Sequence, residues 1–186
     1  MKSIYIANLA AILAMLLTYP TVVSVYTIDH SYVDWFNAPI GPRILLLLLF
    51  GYWVFPGLLL GTVLSYLIFD VLSFNQGLAL DLTFNFVDCI APVVALYIMQ
   101  SFRVASFFTS DKIVYRHAIF YCILSSLIVA FSRLILASNQ GVCDSSQCFV
   151  YLVSNLVGSL SGSFVLFFIF AVFSYAVRKQ MISYNS

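Results

Sequence analysis

Long apolar runs separated by short polar intervals order the chain from one end to the other. Ile4 to Tyr26 is apolar apart from Asn8, Thr18, Thr21, Ser24 and the kinking Pro20. Roughly 23 helical residues suffice to cross a hydrocarbon core of ~30 Å, so this is helix one. It is too long for the core of a secretory signal, and is read as a retained anchor behind Lys2. Thr27 to Pro42 follows as a polar connector with Asp29, His30 and Asp34. Trp35 and Phe36 stand where interfacial aromatics belong, and the chain is expected to surface there. Arg43 to Leu72 stays apolar for about 30 residues, too long for one ordinary span and short for two. Gly51, Pro56 and Gly57 favour two short helices, tilted or not fully spanning, joined by a tight turn near Phe55 to Gly57.

Ser73 to Gly77 is a short loop. Leu78 to Phe102 is helix four, Arg103 to Arg116 a polar loop, His117 to Ala137 helix five, Ser138 to Gln147 a further loop and Cys148 to Val177 helix six. The tail, Arg178 to Ser186, is too short to form a domain, and no internal repeat or low-complexity linker divides the chain. The expected fold is therefore all-α: one polytopic transmembrane bundle over residues 1–186, of about six helices, with the second and third forming a short hairpin.

Composition points the same way. With 63% of residues hydrophobic, 8% charged and a mean hydropathy of +1.05, the chain cannot cover a water-facing surface, so its solvent is the lipid bilayer. The net charge of +1 and the lack of a basic stretch interleaved with aromatics exclude a nucleic-acid partner. Six crossings with both termini cytoplasmic put Lys2, Arg103, Lys112, Arg116, Arg178 and Lys179 inside, leaving the outer loops almost without positive charge. A single crossing over Arg43 to Leu72 would separate Lys2 from the basic tail.

The remaining two basic residues, Arg43 and Arg133, fall within apolar runs. An ionised side chain at bilayer depth costs at least ~2.5 kcal/mol on insertion scales, so such residues face the bundle interior and find partners. In the six-helix topology Arg43 opens helix two, Asp70 ends helix three, Asp81 opens helix four and Arg133 lies near the end of helix five, all towards the outer leaflet. Asp88, with Asn85 nearby, lies about two turns deeper than Asp81 on one face. These residues predict a buried cluster of two arginines and up to three aspartates. It is open to two readings, structural ion pairs or a ligand or ion site.

Cys89 and Cys122 fall inside helices as small buried apolar residues. Cys143 and Cys148 flank an outer loop where a local disulfide could form; two thiols without a nearby histidine make a poor zinc site. Ser154, Gly158 and Gly162 recur every four residues, a small-residue stripe that lets helix six approach another backbone, within the chain or in a second copy. Ser159, Ser161 and Ser163 have no adjacent base to activate them, and His30 and His117 are isolated at loop edges. With no phosphate loop, paired catalytic carboxylates or metal-ligand spacing, an enzyme is not expected, and no cofactor or metal is implied.

The stretch Ala38-Pro39-Ile40-Gly41-Pro42-Arg43, followed by an apolar run, Gly51-Tyr52-Trp53, Pro56-Gly57 and Gly61, resembles the signature of the membrane-associated sensor (MASE-type) domains. These form the membrane half of bacterial histidine kinases, including the sugar-phosphate sensor kinase, and of diguanylate cyclases. The resemblance implies a bacterial inner-membrane bundle that senses a signal or couples to another membrane protein. It covers residues 38–64 and carries over no ligand residues. Family members continue into a kinase or cyclase, whereas this sequence ends at Ser186, so signalling is expected to run through a partner chain. Two functions follow as expectations: a non-catalytic binding or scaffolding subunit of a larger membrane complex, or a solute-binding component of a transporter.

Overall fold

The computed structural model describes residues 2–26, 36–69, 78–104, 108–109, 112–139, 141 and 148–184, with side chains described at 4–20, 36–69, 82–104, 114–139, 141 and 148–172. The helices are α1 (Lys2–Tyr26), α2 (Ile40–Phe50), α3 (Phe55–Phe69), α4 (Leu78–Ser101), α5 (Tyr115–Asn139) and α6 (Cys148–Tyr184). A 3₁₀ turn, Gly51–Val54, joins α2 to α3. Between α4 and α5 the two-residue strands β1 (Phe108–Thr109) and β2 (Lys112–Ile113) pair antiparallel.

Among the described residues, four helical stretches are long and apolar enough to cross a membrane: Ile40–Phe69, Leu82–Ser101, Tyr115–Asn139 and Cys148–Val172. α1 is apolar over Ile4–Pro20, the part of it whose side chains are described. The stretch Ile40–Phe69 is not one rod. Arg43 near its start hydrogen-bonds to Thr62, 19 residues on; in a straight helix that separation would be roughly 28 Å. The chain therefore folds back, as the glycine and proline pattern predicts. The reversal lies at Gly51–Val54, however, ahead of the expected Phe55 to Gly57. Gly51 has φ of 66°, in the left-handed region that glycine alone enters without steric cost. Pro56 sits instead in the first turn of α3, where its missing N–H removes no helical bond.

The two legs open as a V over α1. Ala7, Ala11 and Met15 of α1 pack with Leu46 and Leu47 of α2, Val54 of the turn and Leu58 of α3 in one apolar cluster. Asn8 secures the apex: its Nδ2 donates to the Trp53 carbonyl (3.0 Å) and its Oδ1 accepts from the Gly57 N–H (2.6 Å). At the far end of the same pair, Tyr19 stacks on Phe69 with ring centroids 6.3 Å apart. α1 and α3 thus run parallel, and Tyr52 Oη donates to Gln100 near the end of α4 (2.8 Å), so the turn, the start of α1 and the end of α4 share one end of the bundle. α5 and α6 follow antiparallel, and the directions alternate through six helices.

α2 is the central post. Ile40 through Leu48 are all buried, Ile40, Ile44 and Leu48 in a core with Ala91, Ala95 and Leu96 of α4 and Tyr121 and Val129 of α5. With 11 residues it is only about 16 Å long. It also begins inside the protein, three residues before the predicted start. Asn37 is buried, and its N–H is satisfied by the Gly158 carbonyl of α6 (3.0 Å). The final residues of the connector are therefore packed within the bundle and do not surface, because a backbone group without water must find a protein acceptor. A Cβ at Gly162 would collide with the Asn37 carbonyl, and the buried Ser154, Gly158 and Gly162 make this approach possible. The expected tail is likewise the last turns of α6, which reaches Tyr184.

Candidate functional site

Five helices meet at Asp88. Asp88 and Arg43 are each 1% exposed, and Arg133 is 12% exposed. Arg133 on α5 grips the carboxylate with a fork, Nε to Oδ1 at 2.9 Å and Nη2 to Oδ2 at 2.6 Å. Arg43 on α2 reaches the same carboxylate through one longer bond, Nη1 to Oδ2 at 3.2 Å. Two uncharged polar side chains extend the node. Arg133 Nη1 donates to Asn155 Oδ1 of α6 (2.8 Å), and Arg43 Nη2 reaches Thr62 Oγ1 of α3 (3.4 Å). The Phe84 ring lies 5.9 Å from the Arg133 guanidinium carbon, within cation–π range.

The node is deep. Asp88 lies ten residues into α4, roughly 15 Å from its start, so the charges stand near mid-bundle. Sequence placement also explains the local backbone: Pro92 lies four residues beyond Asp88 within α4, so the Asp88 carbonyl has no helical N–H to accept from. One turn further along α4, Tyr121 of α5 donates its hydroxyl to the Pro92 carbonyl at 2.9 Å.

The two arginines are held unequally. Arg133 makes a bidentate charge-assisted contact, the stronger geometry, and a further short bond to Asn155. Arg43 makes two long ones, and its buried Nε has no hydrogen-bond partner. A guanidinium carries five N–H donors, and a buried donor left unpaired is costly. Asp88 is in effect committed to Arg133, with Arg43 under-satisfied.

Of the residues predicted to cluster, Arg43, Asp88 and Arg133 are brought together. Asn85 lines a crevice of about 350 Å³ between α3 and α4 together with Leu59, Thr62, Val63 and Phe86. Asp70 and the Asp81 side chain lie outside the described residues, as do His30 and Cys143, the proposed disulfide partner of Cys148. Thr62 and Asn155 are additions. Asn155 was detectable as a lone amide in an apolar helix, a common interhelical donor and acceptor; nothing in the sequence singles out Thr62. Ser161 and Ser163 bond to their own helix carbonyls, Gly158 and Ser159. Among the described residues, no group of three or more His, Cys, Asp or Glu could hold a metal ion.

The MASE1 family model matches residues 7–184, nearly the whole chain and far more than the short motif around the hairpin. No curated protein and no solved structure matches the chain.

Proposed function

The chain belongs to the MASE1 family of membrane sensor domains, and from that premise we propose that it is a sensing module of the bacterial inner membrane that passes its signal to a partner membrane protein. The observation that carries the reading is the carboxylate of Asp88 shared between a tightly held Arg133 and a loosely held Arg43. One acceptor for two cations on different helices makes a bistable element: a stimulus that competes for Arg43 frees α2 from α4 while α5 stays fixed. α2 touches α1, α4, α5 and α6, so its displacement repacks most of the bundle.

In the same proposal both termini are assigned to the cytoplasmic side. Six of the eight basic residues are in segments at that end of the bundle, and the other two form the node. α6 continues from Arg178 to Tyr184, roughly 10 Å, past its apolar part at the same end, a lever for contact with a partner. The transport reading required charged residues to line a cavity. The crevice beside the node is lined chiefly by apolar side chains, with Arg43, Asp88 and Arg133 behind its wall, which favours sensing.

Purification of the tagged full chain from native membranes in mild detergent tests the proposal. A stoichiometric protein partner is expected, its retention altered in Asp88→Asn. Recovery of the chain without any protein partner would overturn this reading, and a tightly held metabolite in that case would point to transport or to direct sensing.

A further inference from the structure

The crevice between α3 and α4 and the unsatisfied Arg43 adjoin at a single side chain. Thr62 lines the crevice on one side and accepts from Arg43 Nη2 on the other, at 3.4 Å. The crevice walls are otherwise Leu59, Val63, Leu82 and Phe86, with Asn85 and Thr83 as polar members. Val63 and Phe86 are exposed on the membrane-facing surface, so the opening is lateral, from the lipid. Its volume of about 350 Å³ lies at the small end of ligand sites, which run from roughly 300 to 1,000 Å³.

Arg43 is the part of this arrangement that is incompletely paired. Its side chain is 1% exposed, its Nε has no hydrogen-bond partner, and its two existing contacts are both long. Buried guanidinium groups are normally saturated, because no water is present to replace a missing acceptor. A carboxylate or phosphate oxygen is the acceptor that a guanidinium fork matches best. We propose that the crevice binds a single-chain amphiphilic anion, a carboxylate or phosphate on an apolar body, whose head displaces Thr62 and takes Arg43 as its counter-ion. The apolar walls hold the body, and the new acceptor draws Arg43 from Asp88. This deepens the sensing reading, on which it rests for the consequence of binding.

The test uses the full chain in nanodiscs of zwitterionic phosphatidylcholine and decanoic acid carrying a terminal diazirine. Photolabelling is expected within residues 59–63 or 82–86, competed by decanoate or decyl phosphate but not by decanol or butyrate. Val63→Trp fills the crevice without touching the node and should abolish labelling. Arg43→Gln should weaken competition by decanoate by about tenfold or more, the scale of a lost charged hydrogen bond; should that variant not fold, Val63→Trp and the acid-against-alcohol comparison still decide. Equal competition by decanol, equal competition by butyrate, or unchanged labelling of Val63→Trp would overturn the proposal. Partner retention and its response to Asp88→Asn are read without any probe, so the sensing reading stands or falls separately.

Discussion

At the scale of single residues, the two arginines that share Asp88 should not be equivalent. Lysine keeps the charge but loses the planar fork, so Arg133→Lys removes a bidentate contact, whereas Arg43→Lys removes two long single bonds. Arg133→Lys is expected to cost about 1.5–3 kcal/mol and Arg43→Lys clearly less. Reversible unfolding in mixed micelles compares them, and an equal or inverted order would contradict the asymmetry. Asp88→Asn leaves both cations without their shared carboxylate. Removing one member of a buried ionic group typically costs about 3–5 kcal/mol, so this should be the most destabilising of the three.

Among elements, the hairpin of α2 and α3 depends on side chains from elsewhere. The first N–H groups of α3 lack helical acceptors, and Asn8 of α1 supplies one to Gly57 while donating to Trp53. Asn8→Ala should destabilise the protein by about 0.5–2 kcal/mol, as loss of a helix cap does, and expose the apex to protease. The opposite end of α2 depends on α6. Gly162→Leu would force a side chain into the Asn37 carbonyl, with an expected overpacking cost of about 1–3 kcal/mol and detachment of α2, seen as faster proteolysis in the 36–39 segment. Unchanged stability would mean that the approach of α2 to α6 is not what positions Arg43.

The whole molecule has a direction that labelling can read. With Cys143 and Cys148 replaced by serine, a cysteine at the exposed Asn139 should react with an impermeant maleimide only from the periplasmic face. One at the exposed Phe102 should react only after the membrane is opened. The reverse pattern would invert the bundle; reaction of both positions from one side would mean that α5, the helix between them, does not cross the membrane. Mass spectrometry without reductant, on the unsubstituted protein, tells whether Cys143 and Cys148 are joined.

Composition and spacing alone determined the solvent, the helical class, the approximate ends of α1, α4 and α5 and the need for Arg43, Asp88 and Arg133 to meet. These follow from local rules: apolar length against bilayer thickness, and the expense of an isolated charge in hydrocarbon. Local rules also reach the fold-back between α2 and α3, but not its position. Gly51 and Gly57 look alike in sequence, and only the approach of Asn8 and the positive φ distinguish an apex from a close packing site. Nor could sequence place Asn37 in the interior or recruit Thr62 to the node. Those outcomes depend on which backbones come within contact distance, a property of the packed bundle: α2 sinks to its centre because Gly158 and Gly162 leave room for it, and that depth carries Arg43 to Asp88.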